Sequence, residues 1–159
     1  MRTLWISALV ILILDQASKI WVVQVLDLKQ KGAIDVWDPF LNFRMAWNEG
    51  VNFGLFSSSQ ETTRWILIAV AVAIVAAVLW WVHREAMGRF ARISAGVLIG
   101  GAIGNVIDRI AYGAVADFLN MSCCGITNPY SFNVADIAVF AGAIGLIFFT
   151  GSPAKKKAP

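Results

Sequence analysis

Four apolar stretches in this chain are each long enough to cross a bilayer, and that restricts the fold more than any other feature. They run from Leu4 to Val25, Trp65 to Val82, Ile93 to Ile110 and Phe132 to Thr150, against the about 17 to 25 residues that a transmembrane helix needs. Lipid offers no partner to a backbone amide, so such stretches become helices. The expected fold is an all-α membrane domain of 159 residues with four transmembrane helices. Composition agrees, at 58% hydrophobic, 14% charged and a mean hydropathy of +0.69, outside the range of soluble domains. Arg2 followed by Leu4 to Leu14 has the outline of a signal peptide, but Asp15 and Lys19 stand where a small-residue cleavage site would lie, so a retained span is expected.

Basic residues set the orientation. With the N-terminus inside, the cytoplasmic segments carry Arg2, Arg84, Arg89, Arg92, Lys155, Lys156 and Lys157, and the outer segments only Lys29, Lys31, Arg44 and Arg64. Both termini are then expected in the cytoplasm, with residues 151–159 a solvated basic tail. Two outer connections follow, 26–64 and 111–131. In the first, Ile34 to Arg44 and Met45 to Phe56 hold alternating apolar runs broken by Asp38-Pro39 and Asn48-Glu49-Gly50, the pattern of a small β platform. Trp65, Trp80 and Trp81 mark the two interfaces of the second span, which has no internal charge and is expected to serve support and lipid contact.

The costly residues lie elsewhere. Asp15 and Lys19 are one helical turn apart and can pair within the first span. In the third, Gly96, Gly100 and Gly104 form a small-residue stripe that admits a neighbouring helix and leads to Asn105, Asp108 and Arg109. Ionisable groups at this depth mark a functional site, or else Asp108 and Arg109 neutralise each other structurally. The fourth span opens on Asn133-Val134-Ala135-Asp136, a second Asn-x-x-Asp. Asp117 follows Asp108 after Gly113, where a break lets the chain return Asp117 to the mouth of the helix pair, opposite Asp136. Two carboxylates in a partly dry site share a proton and supply one acid and one base, the equipment for attacking an amide with water. The structural alternative is that both aspartates cap helices or pair with Arg109. From mid-membrane outward is where every strongly polar intramembrane residue falls, which places the chemistry near the outer surface.

Other chemistries have little support. No Ser or Cys stands beside a His, which leaves no nucleophilic triad. His83 sits at a helix end beside Arg84 and no His or Cys cluster has ligand spacing, so neither a metal nor another cofactor is expected. Adjacent Cys123 and Cys124 are not expected to form an ordinary disulfide. No basic run is interleaved with aromatics, so nucleic acid is not a partner. A small ion or proton-coupled transporter using the buried carboxylates is the rival reading, but it needs polar groups through both leaflets or an inverted repeat, and the inner halves of the spans are apolar.

Asp15-Gln16-Ala17-Ser18-Lys19, Asn48-Glu49-Gly50-Val51-Asn52-Phe53-Gly54, Gly100 to Arg109, Val115-Ala116-Asp117-Phe118 and Phe132 to Asp136 together resemble the lipoprotein signal peptidases, or signal peptidase II. The resemblance implies an aspartic endopeptidase of the bacterial inner membrane that removes signal peptides from diacylglyceryl-modified prolipoproteins, just before the lipidated cysteine. It implies Asp117 and Asp136 as the catalytic pair, where the helix-face argument alone favours Asp108. Asp15, Lys19, Asn48, Gly50, Asn105, Asp108, Arg109, Asn133 and Ala135 then hold the substrate or support the pair. Partners are the lipidated precursors and membrane lipid, and a monomer is expected. Asn52 and the stretch from Met121 to Tyr130 depart from the family's usual pattern.

Overall fold

The computed structural model describes residues 1–50 and 60–150. The expectations for Asn52, for the second platform run beyond Gly50, and for the basic tail fall outside the described residues.

Helix α1 covers Arg2–Lys19 and continues through a π-helical segment, Ile20–Val25, to the short helix α2, Leu28–Lys31. Strands β1 (Ala33–Trp37) and β2 (Leu41–Asn48) follow, then α3 (Gln60–Arg84), α4 (Arg89–Tyr112), β3 (Val115–Asn120) and α5 (Val134–Phe149). Among the described residues, three helical segments are long and apolar enough to cross a membrane: Arg2–Val25, Glu61–Arg84 and Arg89–Tyr112. The fourth expected span is a shorter apolar helix of 16 residues, about 24 Å long. Its start is fixed by Asn133, whose side chain accepts from the Asp136 amide while the Asp136 carboxylate accepts from the Asn133 amide, a reciprocal cap that stops the helix short of Phe132.

Helix α4 is the central one. A Cβ on Gly100 would stand 2.5 Å from the Ala8 carbonyl oxygen, and one on Gly101 would stand 2.5 Å from that of Ala135. Bare backbone on two faces therefore lets α1 and α5 pack against α4 simultaneously. Helix α3 is mostly unburied and keeps Trp65 and Trp80 more than half exposed, with Arg64 and Arg84 stacked over their rings at 5.3 Å. That suits the lipid contact expected of it. His83 is exposed in its last turn.

The platform is a three-stranded antiparallel sheet in the order β1-β2-β3. Its first hairpin matches expectation, with the turn at Asp38-Pro39. The third strand does not. Val115–Asn120 had been expected only as part of a connection, yet it pairs with β2, Trp47 opposite Ala116 and Ala46 opposite Asp117. Its run Val-Ala-Asp-Phe-Leu-Asn is too short and too interrupted by polar residues for strand periodicity to stand out. Cys123 and Cys124 are joined not as an ordinary disulfide but as a vicinal one, in a turn where Cys124 takes a positive φ of 60°.

Two apolar clusters lie at opposite ends. Leu4, Ala8, Val82, Ala91, Ala95, Ile99 and Leu146 fill the helix bundle, and Val22, Val23, Leu28, Ala116 and Phe118 lie under the sheet. Along α1 the buried polar residues Asp15 and Lys19 fall between the two clusters, so the site occupies the layer where bundle and sheet meet.

Candidate active site

The turn after α4 brings the carboxylates together. Gly113 caps α4 with a φ of 82°, a backbone conformation that side chains disfavour, and the chain reverses into β3. Asp117 then lies on the edge strand, 3% exposed, near the start of α5. Its Oδ1 accepts from Asn133 Nδ2 at 2.6 Å and its Oδ2 from Asn48 Nδ2 at 3.0 Å. Asn48 is itself aimed by a turn: its Oδ1 accepts from the Gly50 amide at 3.0 Å, with Gly50 at a φ of 98°. Asn48 and Gly50 thus act as one unit that directs an amide at Asp117.

Asp136 is held from the other side. Its Oδ1 accepts from Asn105 Nδ2 at 2.8 Å, and its Oδ2 from the Asn133 backbone amide at 3.2 Å. Asn133 Nδ2 also donates to Asn105 Oδ1 at 3.2 Å, so Asn105 and Asn133 connect the two carboxylates through a short relay of amides. Of the two Asn-x-x-Asp motifs, the first brings Asn105 to Asn133 and Asp136, while its Asp108 faces α1. Asp136 is also a helix cap, and the cap is what orients its carboxylate. Burial, and next the neighbouring charge of Asp136, push the Asp117 carboxyl up from 3.8 to about 6, against the opposing pull of hydrogen bonds from Asn48 and Asn133 and the charge of Lys19.

A second polar cluster lies directly behind. Lys19 Nζ is 2.8 Å from Asp15 Oδ2 and 2.8 Å from Asp108 Oδ2. The expected pairing of Asp15 with Lys19 is present. The expected partnership of Asp108 with Arg109 is not, because adjacent positions on a helix diverge by about 100° and Asp108 turns toward α1. Arg109 turns the other way, its Nη1 donating to the Asn105 carbonyl at 3.4 Å and its Nε buried without a partner. Its guanidinium interacts electrostatically with Asp136 and Asp117 as well as Asp108, although among the described residues it makes no ion pair with any of them. Ala135, fully buried, contributes its amide, which donates to Asp15 Oδ1 at 3.0 Å. Gln16 was not singled out from sequence, yet its Nε2 donates to both Asp15 Oδ2 and Asp108 Oδ1, at 3.0 and 3.1 Å. An amide inside an apolar span, next to Asp15, was the available signal.

Alongside runs a cleft of about 210 Å³ whose lining includes Ile20, Val23, Trp47 and Tyr112 together with Lys19 and Asp108. Trp47 and Tyr112 close one side with ring centroids 5.8 Å apart. The cleft thus borders the Lys19–Asp108 cluster, and Ala116, the residue before Asp117, is part of its wall. Among the described residues no three His, Cys, Asp or Glu side chains come together as metal ligands.

The family model described as signal peptidase (SPase) II matches residues 7–151. A lipoprotein signal peptidase of Nitrobacter hamburgensis is 42% identical over 156 residues, spanning 95% of this chain and 94% of the relative. That of Methylorubrum extorquens is 42% identical over 153 residues, spanning 95% and 86%. Two structures of bacterial membrane enzymes determined by the in meso method superpose with TM-scores of 0.76 and 0.77, at 26% and 28% identity. They cover 100% and 92% of this chain, and 96% and 91% of their own. With a family match over nearly its whole length and relatives this similar, the chain belongs to the signal peptidase II family.

Proposed function

We propose that this protein is an aspartic endopeptidase that removes signal peptides from diacylglyceryl-modified prolipoproteins, cutting just before the lipidated cysteine, with Asp117 and Asp136 as its catalytic pair. One observation carries the assignment: two carboxylates from different elements, joined through Asn105 and Asn133, at the junction of α4, β3 and α5 in a chain of this family. A transporter would need a polar path through both ends of the bundle, whereas the end holding Leu4, Ala95 and Leu146 is a packed apolar cluster.

In the reaction, one carboxylate takes a proton from water as its oxygen attacks the scissile carbonyl carbon. The other gives its proton to the carbonyl oxygen, and the tetrahedral product collapses as a proton passes to the leaving nitrogen. Asp117, whose carboxyl is pushed up to about 6, is suited to hold the shared proton, leaving Asp136 as base. Arg109 supplies a fixed positive charge beside Asp136 and Asp117, with its guanidinium as the donor to substrate carbonyls. The apolar walls of the cleft suit a lipid-modified residue. All four apolar helices are read as spans with both termini cytoplasmic. The sheet then rests at the outer face of the inner membrane, and the enzyme acts as a monomer.

Purified protein in detergent, given a diacylglyceryl-modified precursor and its Cys-to-Ser unlipidated counterpart, should cleave only the former. Equal cleavage of both would remove the lipid from the specificity.

A further inference from the structure

The buried ions behind the dyad form a symmetric arrangement that the chemical steps do not use. Asp15 and Asp108 are both fully buried and Lys19 is 6% exposed. Each carboxylate accepts from the same ammonium, from the same Gln16 amide, and from one backbone N–H. Those two amides are the informative part. Asp15 takes the amide of Ala135 at 3.0 Å, and Ala135 immediately precedes Asp136. Asp108 takes the amide of Ala116 at 3.2 Å, and Ala116 immediately precedes Asp117.

Neither amide has a partner in its own element. Ala135 lies in the first turn of α5, where amides lack intrahelical acceptors and Asn133 already serves the amide of Asp136. Ala116 lies on the edge strand of the sheet. A carboxylate from α1 and one from α4 supply the missing acceptors, and Lys19 holds those two carboxylates against each other. Without its charge they would repel in a buried layer. Gly104 makes room, since a Cβ there would stand 2.5 Å from Asp15 Oδ2.

We propose that Asp15, Gln16, Lys19 and Asp108 are a clamp that sets the distance between the two catalytic carboxylates by pinning the backbone amide in front of each. The clamp rests on the reading of Asp117 and Asp136 as the dyad. Its members are positioning residues that act on the pair through the backbone of β3 and α5, with Lys19 adding a direct electrostatic pull on Asp117. Small displacements there matter because the reaction needs both carboxylates within reach of one carbonyl and one water.

The test compares Asp108→Asn with Asp108→Ala, Asp15→Asn with Asp15→Ala, and Lys19→Met alone with Lys19→Met/Asp108→Asn, assayed on the lipidated precursor well below each variant's Tm. Asparagine keeps an acceptor for the pinned amide and alanine does not, so each Asn variant should retain at least about ten times the kcat of its Ala counterpart. Lys19→Met should lose about 100-fold in kcat with KM within about threefold, and Asp108→Asn should restore part of that loss by removing the uncompensated charge. The two limbs of the kcat pH profile should move together in the Ala variants, since carboxylates held farther apart couple less. A merely structural role would lower Tm and leave kcat and both limbs in place. That result, or equal kcat for the Asn and Ala variants, overturns the clamp. Retained activity in Asp117→Asn under the same assay would instead overturn the dyad reading on which it rests.

Discussion

Asp117 is buried and Asp136 only half-buried, and in the proposed mechanism that difference divides the acid and base roles between them. Both carboxylates meet amide donors on each oxygen, but Asp117 is nearly enclosed and has its carboxyl pushed to about 6 by burial and by the charge of Asp136. A raised pKa means that Asp117 holds its proton below about 6 and loses it above. Since the acid role needs that proton, kcat/KM, which reports the free enzyme, should fall as pH rises through about 6. A profile flat from about pH 5 to 8, or rising across it, would show that Asp117 is not the proton holder. At this scale the sequence was partly legible. Asn105, Asn133 and Asp136 could be matched through their spacing on two helices, and the structure joins them. The partner of Asp108 could not, because i, i+1 neighbours on a helix cannot share a face, and its true partner, Lys19, lies on another helix.

Among the elements, α4 sets the others in place. Its glycines face different neighbours: Gly100 meets the backbone of α1 at Ala8, and Gly104 meets the carboxylate of Asp15. Adding one methyl at either position overpacks the α1 contact and should cost about 1 to 3 kcal/mol. Their effects on activity should differ. Gly100→Ala should lower Tm with kcat within about threefold, whereas Gly104→Ala, which pushes on Asp15, should lower Tm and reduce kcat by about 10-fold or more. Parallel effects of the two substitutions on kcat would mean that the α1–α4 contact acts on the site only through stability. The glycine stripe was visible from its four-residue period. Strand β3 was not, because its pairing with β2 joins parts of the chain on either side of two long helices, and local pattern carries no trace of it. The break at Gly113 was nonetheless readable, and it is what returns Asp117 to the helix mouth.

For the molecule as a whole, polar residues gather where bundle and sheet meet and the opposite end is apolar, so the site should open to one face of the membrane. Positive-inside counting predicts that this is the outer face. In a Cys123→Ser, Cys124→Ser background, an impermeant thiol reagent added to intact cells should label Asp35→Cys in the exposed platform and spare Ala86→Cys between α3 and α4. The reverse labelling would invert the topology. Helical class and the number of apolar segments were plain from hydropathy, while the shortness of α5 follows from the Asn133 cap rather than from composition. The central claim is that Asp117 and Asp136 together perform the cleavage. Its most direct test is the turnover of the lipidated precursor by purified, folded Asp117→Asn and Asp136→Asn proteins, each keeping a side chain of the same size. The dyad predicts that both lose at least about 10³-fold in kcat at unchanged elution volume and similar Tm. Near-wild-type turnover by either variant would contradict it.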